Sequence, residues 1–586
     1  TNSPFSVSGF SVGSAGPFEF GTVTYITTSN TNPSLFSTPP AIGTNGTLTY
    51  TVAANQTGSA NITVKANDGL LDSVSTSTFT ITVVAPGALT PIVPNRTYTT
   101  LPQMQLTVSA FADGLLAGIT DPTPAAGTPL VVKSFAGTDS GATFAYYPDT
   151  ATGQPNGTFT YTPAPHFVGS DSMTYTVCDG TAANAKCTTA NLTITMSGPV
   201  LYFVDDNAAV GGDGSLLKPW KRLDAASNSR VEGATIFVLS GTYTGETGLM
   251  LKKNETVIGQ GVAGASFDAF FGITPPTTGS LPPRPPLNGA GITTPVVQLD
   301  TVSTRTAFHI ERLYSVVQGP TTDRVRNFVI TGGNALNWQV ALPTNVVTFE
   351  DIQVTGGGIT IGAYGTATIK NVAMTNGRVQ AYYMDGVSVS FQNVDINNSD
   401  GTMALEANWS RNGSMVFDAA SSIQVTNTPQ QALMIMDSRP TVSFQFACPI
   451  TLSGGRDVLF ITGDTIDLTG GPNVTFTNTV SSTVSDTTRW AMYTSIVNLS
   501  MSAPSPSTFT GGRGVHLDRV VATGTGVALG SIFASTSLFT DTSGQPITVT
   551  GGTINSNNGS PSQPCFTIVN APNVAVSGVT GVNCTP

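Results

Sequence analysis

The chain has 586 residues, a formal net charge of −11 and only 10% charged residues. That length exceeds what one hydrophobic core serves, so about two to four domains are expected. The acidic balance argues against nucleic acid or anionic lipid as a partner, because both draw basic patches. No run approaches the roughly 18 continuous apolar residues that span a bilayer, so membrane insertion is not expected.

Ordinary domains carry about a quarter charged residues. Here Thr, Ser, Asn and Gly take those places, giving the uncharged polar surface of secreted β proteins, so the expected location is extracellular or at the cell surface. The chain opens Thr1-Asn2-Ser3-Pro4, with neither Met nor a basic segment leading into an apolar one. A processed piece of a longer precursor is the expectation, its export signal lying upstream.

Residues 1–86 alternate apolar residues with Thr, Ser and Asn over short runs broken by Gly, Pro or Asn. Examples are Gly46-Thr47-Leu48-Thr49-Tyr50-Thr51-Val52, Asn61-Ile62-Thr63-Val64-Lys65 and Thr78-Phe79-Thr80-Ile81-Thr82-Val83. This period of two, with turn signals at sandwich-like spacing, predicts a β-sandwich. Together with Asn32-Pro33-Ser34-Leu35-Phe36-Ser37 and the Asn67-Asp68-Gly69 turn, the segment resembles the immunoglobulin-like or cadherin-like tandem repeats of large bacterial surface proteins. Against such repeats its opening strand is missing or altered, which predicts a sheet edge open to strand addition by upstream chain or a neighbouring molecule.

Residues 87–197 read as a second sandwich. Gly157-Thr158-Phe159-Thr160-Tyr161-Thr162-Pro163 and the run from Phe167 through Asp171, Tyr175 and Cys178 to Gly180 resemble the most recognisable stretch of the cadherin-like bacterial repeat. Such repeats often carry a calcium-binding acidic stretch after a segment like Gly114 to Ala117. Gly118 and Ile119 stand here where Asn and Asp are usual, so the resemblance puts calcium between the sandwiches in doubt. Cys178 and Cys187 flank Asp179-Gly180-Thr181, turn chemistry between two β-like runs. A cross-hairpin disulfide worth about 2–3 kcal/mol is expected there, with buried free thiols as the alternative.

Residues 198–586 carry a ladder of short strands, each ending in a hydroxyl or Asn residue after an apolar one. The ending residues are Thr331, Thr355, Thr375, Asn397, Thr426, Ser453, Thr477, Ser500, Thr523, Thr550 and Ser577, at steps of 20 to 29 residues. One strand repeated in register at that period is the mark of a solenoid. A leucine-rich repeat would need Leu at fixed offsets, and those positions vary among Val, Ile, Met, Phe and Ala. Four residues ahead of the ladder stand Asn327, Asp351, Asn371, Asn393, Ser422, Asn473 and Asn573, a column that predicts stacked side-chain amides.

This recurrence resembles the pectate-lyase-like right-handed parallel β-helix superfamily. Tyr202 to Asn207, Gly212 to Ser215, Lys218-Pro219-Trp220 and Ala234 to Tyr243 are similar to the capped beginning of many secreted β-helix proteins. The Pro-rich stretch from Pro275 to Pro286 is expected to project as a loop. Cys565 and Cys584 lie about one coil apart, so a disulfide between neighbouring coils is expected, again with free thiols as the alternative. The fold class is therefore all-β: two immunoglobulin-like β-sandwiches plus a right-handed parallel β-helix.

Chemistry is sparse. Glycoside hydrolysis needs paired carboxylates about 5–10 Å apart, yet Asp351, Asp395, Asp418 and Asp467 fall at different offsets in the ladder. The polygalacturonase-like branch of the superfamily it resembles would show Asn-Thr-Asp, a paired Asp and Gly-His-Gly motifs, none of which occurs. Candidate carbohydrate contacts are Trp409 with Glu406 and Arg411, the indole serving as a sugar-stacking platform, and Arg456 with Asp457 and Asp464. Asp205, Asp206 and Asp213 are calcium candidates at the cap; no other cofactor is suggested. His166, His309 and His516 show no metal-ligand spacing.

The expected role is a non-enzymatic extracellular structural or adhesive surface protein, self-associating by strand addition or head-to-tail contact into a filament. The alternatives are a polysaccharide lyase or hydrolase, or a carbohydrate-binding protein, on the β-helix scaffold.

Overall fold

The computed structural model describes residues 5–7, 22–85, 89–124, 128–137, 141–148, 155–226, 230–299, 305–312, 321–340, 344–362, 364–383, 385–408, 411–438, 442–463, 474–480, 482–486 and 490–495, and from 497 onward the backbone of separate strands ending with Ala575–Val579. It is nearly all β, with 55% strand and 3% helix. None of its described helices is long and apolar enough to cross a membrane.

Near the N-terminus two three-stranded antiparallel sheets face each other. One comprises Phe5–Val7, Leu48–Val52 and Phe36–Ile42, and the other Thr24–Asn30, Gly58–Asn67 and Ser77–Val83. Leu35, Leu48, Ala60, Ile62 and Ile81 fill the space between them. Inward positions alternate with outward Thr and Ser, as a sheet with one wet face requires.

The next segment repeats this plan with one strand more. Thr143–Pro148, Pro155–Thr162 and Leu106–Val108 form three strands; Arg96–Thr100, Cys187–Met196, Gly169–Cys178 and Val131–Ala136 form four. The extra strand, Arg96–Thr100, runs parallel to Cys187–Met196. Phe159, Tyr161, Tyr175, Leu192 and Ile194 are fully buried between the sheets. The Tyr161 hydroxyl is satisfied by Asp171 Oδ2 at 2.8 Å. Cys178 and Cys187 pair across the hairpin and are joined by a disulfide.

From Leu201 onward the strands pair in parallel with those of the following coil, in a 23-stranded and an 11-stranded sheet. The parallel sheets have the connectivity of a β-helix. Four long strands, Thr321–Thr331, Asn345–Thr355, Gly365–Thr375 and Val387–Asn398, each bend once. The bend residues are Asn327, Asp351, Asn371 and Asn393, all with φ between 51° and 67°. Among non-glycine residues Asn and Asp tolerate this left-handed backbone best. The bend also shifts the alternation by one: Val347 and Phe349 point inward before Asp351, Ile352 and Val354 after it. Inside, Phe391, Phe417 and Phe446 stack with centroids 4.1 and 5.1 Å apart.

The ladder read from the sequence holds in pieces. Thr331, Thr355, Thr375 and Asn397 stack in register, but Asn397 then faces Gln424, two positions ahead of Thr426. The reason is local: after Phe417 the single left-handed bend residue widens into the turn Asp418–Ser421, and the long strand divides into Ser414–Phe417 and Ser422–Thr428.

The Pro-rich loop does not project. Ser280 bridges Thr107 of the second sandwich through two backbone hydrogen bonds of 2.9 and 2.8 Å. Leu101 and Met104 enter one apolar cluster with Leu201, Phe203, Phe237 and Phe267 of the β-helix cap. Gln103, only 3% exposed, receives the His166 amide on Oε1 at 3.1 Å, and its carbonyl accepts Leu216 N at 3.3 Å. His166 Nδ1 lies 3.2 Å from the Tyr202 hydroxyl, and Tyr202 stacks on Trp220. Sandwich and β-helix thus share a core, and a loop avoids leaving its backbone unpaired by docking on the sheet edge that Leu106–Val108 offers.

Candidate functional site

The 11-stranded sheet turns one set of side chains inward and the other out. In Arg378–Tyr382 and Leu405–Asn408 the inward residues Val379, Ala381, Leu405 and Ala407 are fully buried. The outward partners are therefore Gln380 beside Glu406 and Tyr382 beside Asn408. Gln380 Nε2 donates to Glu406 Oε2 and to the Tyr382 hydroxyl oxygen, both at 2.8 Å, and Asn408 Nδ2 donates to Glu406 Oε1 at 3.1 Å. The Arg378 guanidinium stands 3.8 Å from the same carboxylate. Asn408 is 7% exposed, and its Oδ1 has no hydrogen-bond partner among the described residues. Burial, with Glu406 adding a hydrogen bond and charge, pushes the Tyr382 hydroxyl up to about 12.

Register extends this row along the β-helix. His309, Asn337, Thr360, Gln380, Glu406, Met434, Phe460 and Tyr493 occupy one outward column. After Glu406 it passes to Met434 and Phe460, and the Phe460 and Tyr493 rings stack at 5.0 Å; register carries the column back to Met250 and on to His516. Glu406 is the one carboxylate among the described residues of this column. An acid flanked by amides and followed by aromatic rings can hydrogen-bond and stack a polyhydroxylated ligand.

Asn408 and Glu406, neighbours in the sequence, do meet, and Gln380, Tyr382 and Arg378 of the preceding coil complete the cluster. Arg411 is exposed beyond the next turn, where its backbone bridges Asp385. Trp409 lies outside the described residues. Gln380, Tyr382 and Arg378 were missed because they sit one coil earlier, and only the coil period connects them to Glu406. Arg456 is exposed, and Asp457 takes a left-handed backbone (φ 46°) in the turn between Ile450–Gly454 and Leu459–Gly463. Asp464, Asp467, Cys565 and Cys584 lie outside the described residues.

The calcium candidates lie in turns of the cap. Asp205 and Asp213 accept the amides of Asn207 and Ser215 in local turns. Asp206 Oδ2 accepts Thr242 N at 3.0 Å, while the Lys221 ammonium donates to the Asp206 carbonyl at 2.9 Å. Among the described residues no three His, Cys, Asp or Glu side chains gather as a metal site. The β-helix cap instead holds the buried pair Arg230 and Glu255, 2.7 Å apart, and Glu246, whose carboxyl burial raises even though it accepts the amides of Leu223 and Asp224.

Residues 89–195 match the family model of the bacterial Ig domain. That segment is the seven-stranded sandwich with the parallel strand Arg96–Thr100. No curated protein matches the chain. Among solved structures, the endo-fucoidan hydrolase MfFcnA4 of glycoside hydrolase family 107 is 20% identical over 30% of this chain and 24% of its own, at a TM-score of 0.14. Chicken VE-cadherin EC1-2 is 13% identical over 34% of this chain and 93% of its own, at 0.15. Drosophila N-cadherin EC1-4 is 14% identical over 36% and 53%, at 0.17. Likenesses of this strength carry no argument about fold or activity.

Proposed function

We propose that the protein is a non-enzymatic extracellular surface component, in which the immunoglobulin-like part and the β-helix form one stiff structural or adhesive unit. The observation that carries this reading is the joint: Leu101 and Met104 in the β-helix cap's core, with Thr107 bonded to Ser280. A joint with a shared apolar core fixes the orientation of the two parts, where a small polar interface would leave them free to move. Bacterial Ig domains, matched by residues 89–195, fit such a surface role.

The Glu406 column supports a second reading, carbohydrate binding without cleavage, which would give the adhesive unit its grip. Incubating the chain with pectic, fucan and glucan polysaccharides tests both. Retention on one of them with no release of reducing ends or unsaturated products is the expected result. Chain cleavage that disappears in Glu406→Gln would replace the structural reading with a hydrolase or lyase.

A further inference from the structure

Tyr383 follows the strand Arg378–Tyr382, in which Val379 and Ala381 point inward and Arg378, Gln380 and Tyr382 outward. Continued alternation would send Tyr383 into the core. Its backbone is left-handed instead, with φ 53°, and the side chain is 69% exposed. The bends at Asn371 and Asn393 turn their own side chains out in the same way, in a conformation that Asn tolerates. Among the described non-glycine residues with a left-handed backbone, Tyr383 is the one that is not Asn, Asp, Gln or His. A bulky ring strains this backbone, and such strain gathers at functional sites. Asn or Gly would serve the turn better, so what tyrosine adds here is a ring held out to solvent.

The ring stands beside the Glu406 cluster. Tyr383 N donates to the Asn408 carbonyl at 3.2 Å, continuing the pairing of Tyr382 with Asn408. One coil earlier, Gly362 follows Ile361, the partner of Ala381. A Cβ at Gly362 would meet the Tyr382 carbonyl at 3.2 Å and Gln339 Cγ at 3.6 Å. The outward column therefore has no side chain between exposed Gln339 and half-buried Tyr382. That leaves a slot two strand spacings wide, about 9–10 Å, with an amide on one wall and a phenol on the other.

We propose that Tyr383 is the stacking platform of a site for a neutral glycan. A pyranose unit lies with its apolar C–H face on the exposed ring, and its hydroxyls bond the amides of Gln339 and Gln380 across the slot over Gly362. This rests on the carbohydrate reading of the Glu406 column and narrows it to one ligand class.

Charge selects that class. Arg378 is matched by Glu406 at 3.8 Å, and the backbone of Arg411 bridges Asp385. Asp385 accepts the Tyr364 hydroxyl and the Asn412 amide, both at 3.4 Å. These guanidinium groups and carboxylates balance, so no surplus positive charge awaits a polyuronate or a sulfated glycan, and the net charge of −11 repels both.

Isothermal titration of the intact chain with cellohexaose, mannohexaose and laminarihexaose, and with polygalacturonate as the acidic probe, tests this. Saturable binding of a neutral hexasaccharide is expected, with no binding of polygalacturonate. Tyr383→Gly weakens that binding about tenfold or more and yet melts no lower than the unaltered chain, because glycine relieves the left-handed backbone. Tyr383→Phe, which keeps the stacking face, binds within about twofold, and Gln339→Ala binds severalfold more weakly. Undiminished binding by Tyr383→Gly, or a loss accompanied by a lower melting temperature, overturns the platform while the carbohydrate reading stands. Polygalacturonate bound in place of the neutral probes overturns the ligand class. No glycan bound by the unaltered chain sinks the reading and the inference together.

Discussion

Asn393 donates from Nδ2 to Oδ1 of Asn371 at 3.0 Å, across two coils and 22 positions of sequence. Asn371 in turn donates to Asp351 Oδ1 at 2.9 Å, and Arg326 holds the other Asp351 oxygen at 2.7 Å. Each residue sits at a left-handed bend, so one side chain both permits the backbone turn and ties it to the next coil. Burial alone would raise the Asp351 carboxyl; the Asn371 and Arg326 bonds and the Arg326 and Lys370 charges outweigh it and hold it below the usual carboxylate range. Asn371→Ala is expected to destabilise this part of the β-helix by about 1–3 kcal/mol, losing two hydrogen bonds and straining the bend. Asn371→Gly should cost less, because the backbone is relieved. Hydrogen exchange of Gly365–Thr375 separates the two.

The Phe391, Phe417 and Phe446 stack lies at 0–1% exposure inside the coils. Phe417→Ala removes its middle ring and leaves a cavity, at a cost of about 3–5 kcal/mol. Chemical denaturation followed by a β-helix probe should show the loss, with the sandwich transition unchanged.

Cys448 is a buried free cysteine whose thiol burial, aided by the Asp418 charge, pushes up to about 12. The thiolate is the reactive form, so native protein should leave Cys448 unlabelled by a maleimide at pH 8, and unfolded protein should label it at once. Peptide mass analysis after the two treatments checks this.

At the joint, burial holds the His166 imidazole below its ordinary 6.5, with the Lys252 and Arg230 charges acting the same way and Asp213 opposing. The folded state thus prefers neutral His166. Above pH 6.5 both states are neutral and no penalty exists. As pH falls from the unfolded value toward the lowered folded one, only the unfolded chain takes up the proton, and stability declines. His166→Asn, which keeps the left-handed backbone (φ 66°), should flatten that decline in melting temperature between pH 7 and 5.

The left-handed Asn column was legible because its chemistry is local: only a few residue types suit such a bend, and they recur at the coil period. The strand pairing beyond Asn397 was not, since Asp418–Ser421 lengthens the turn without changing the apolar alternation on either side. Cys178 and Cys187 stood in a visible hairpin, whereas the docking of Ser280 on Thr107 joins residues 173 apart in sequence with no pattern in either. The surroundings of Glu406 were hidden for a related reason. Gln380 and Tyr382 reach it by stacking, and their type alone marks nothing.

The rigid joint between the second sandwich and the β-helix is the claim on which the structural reading rests. Spin labels at Ser172 and Gln353, both exposed, with Cys565 and Cys584 replaced by Ser, report it directly through a pulsed dipolar distance distribution. One narrow distance, unchanged in Pro283→Gly but broadened when Met104→Asp breaks the shared core, is the predicted result. A broad distribution in the unaltered joint would contradict the account.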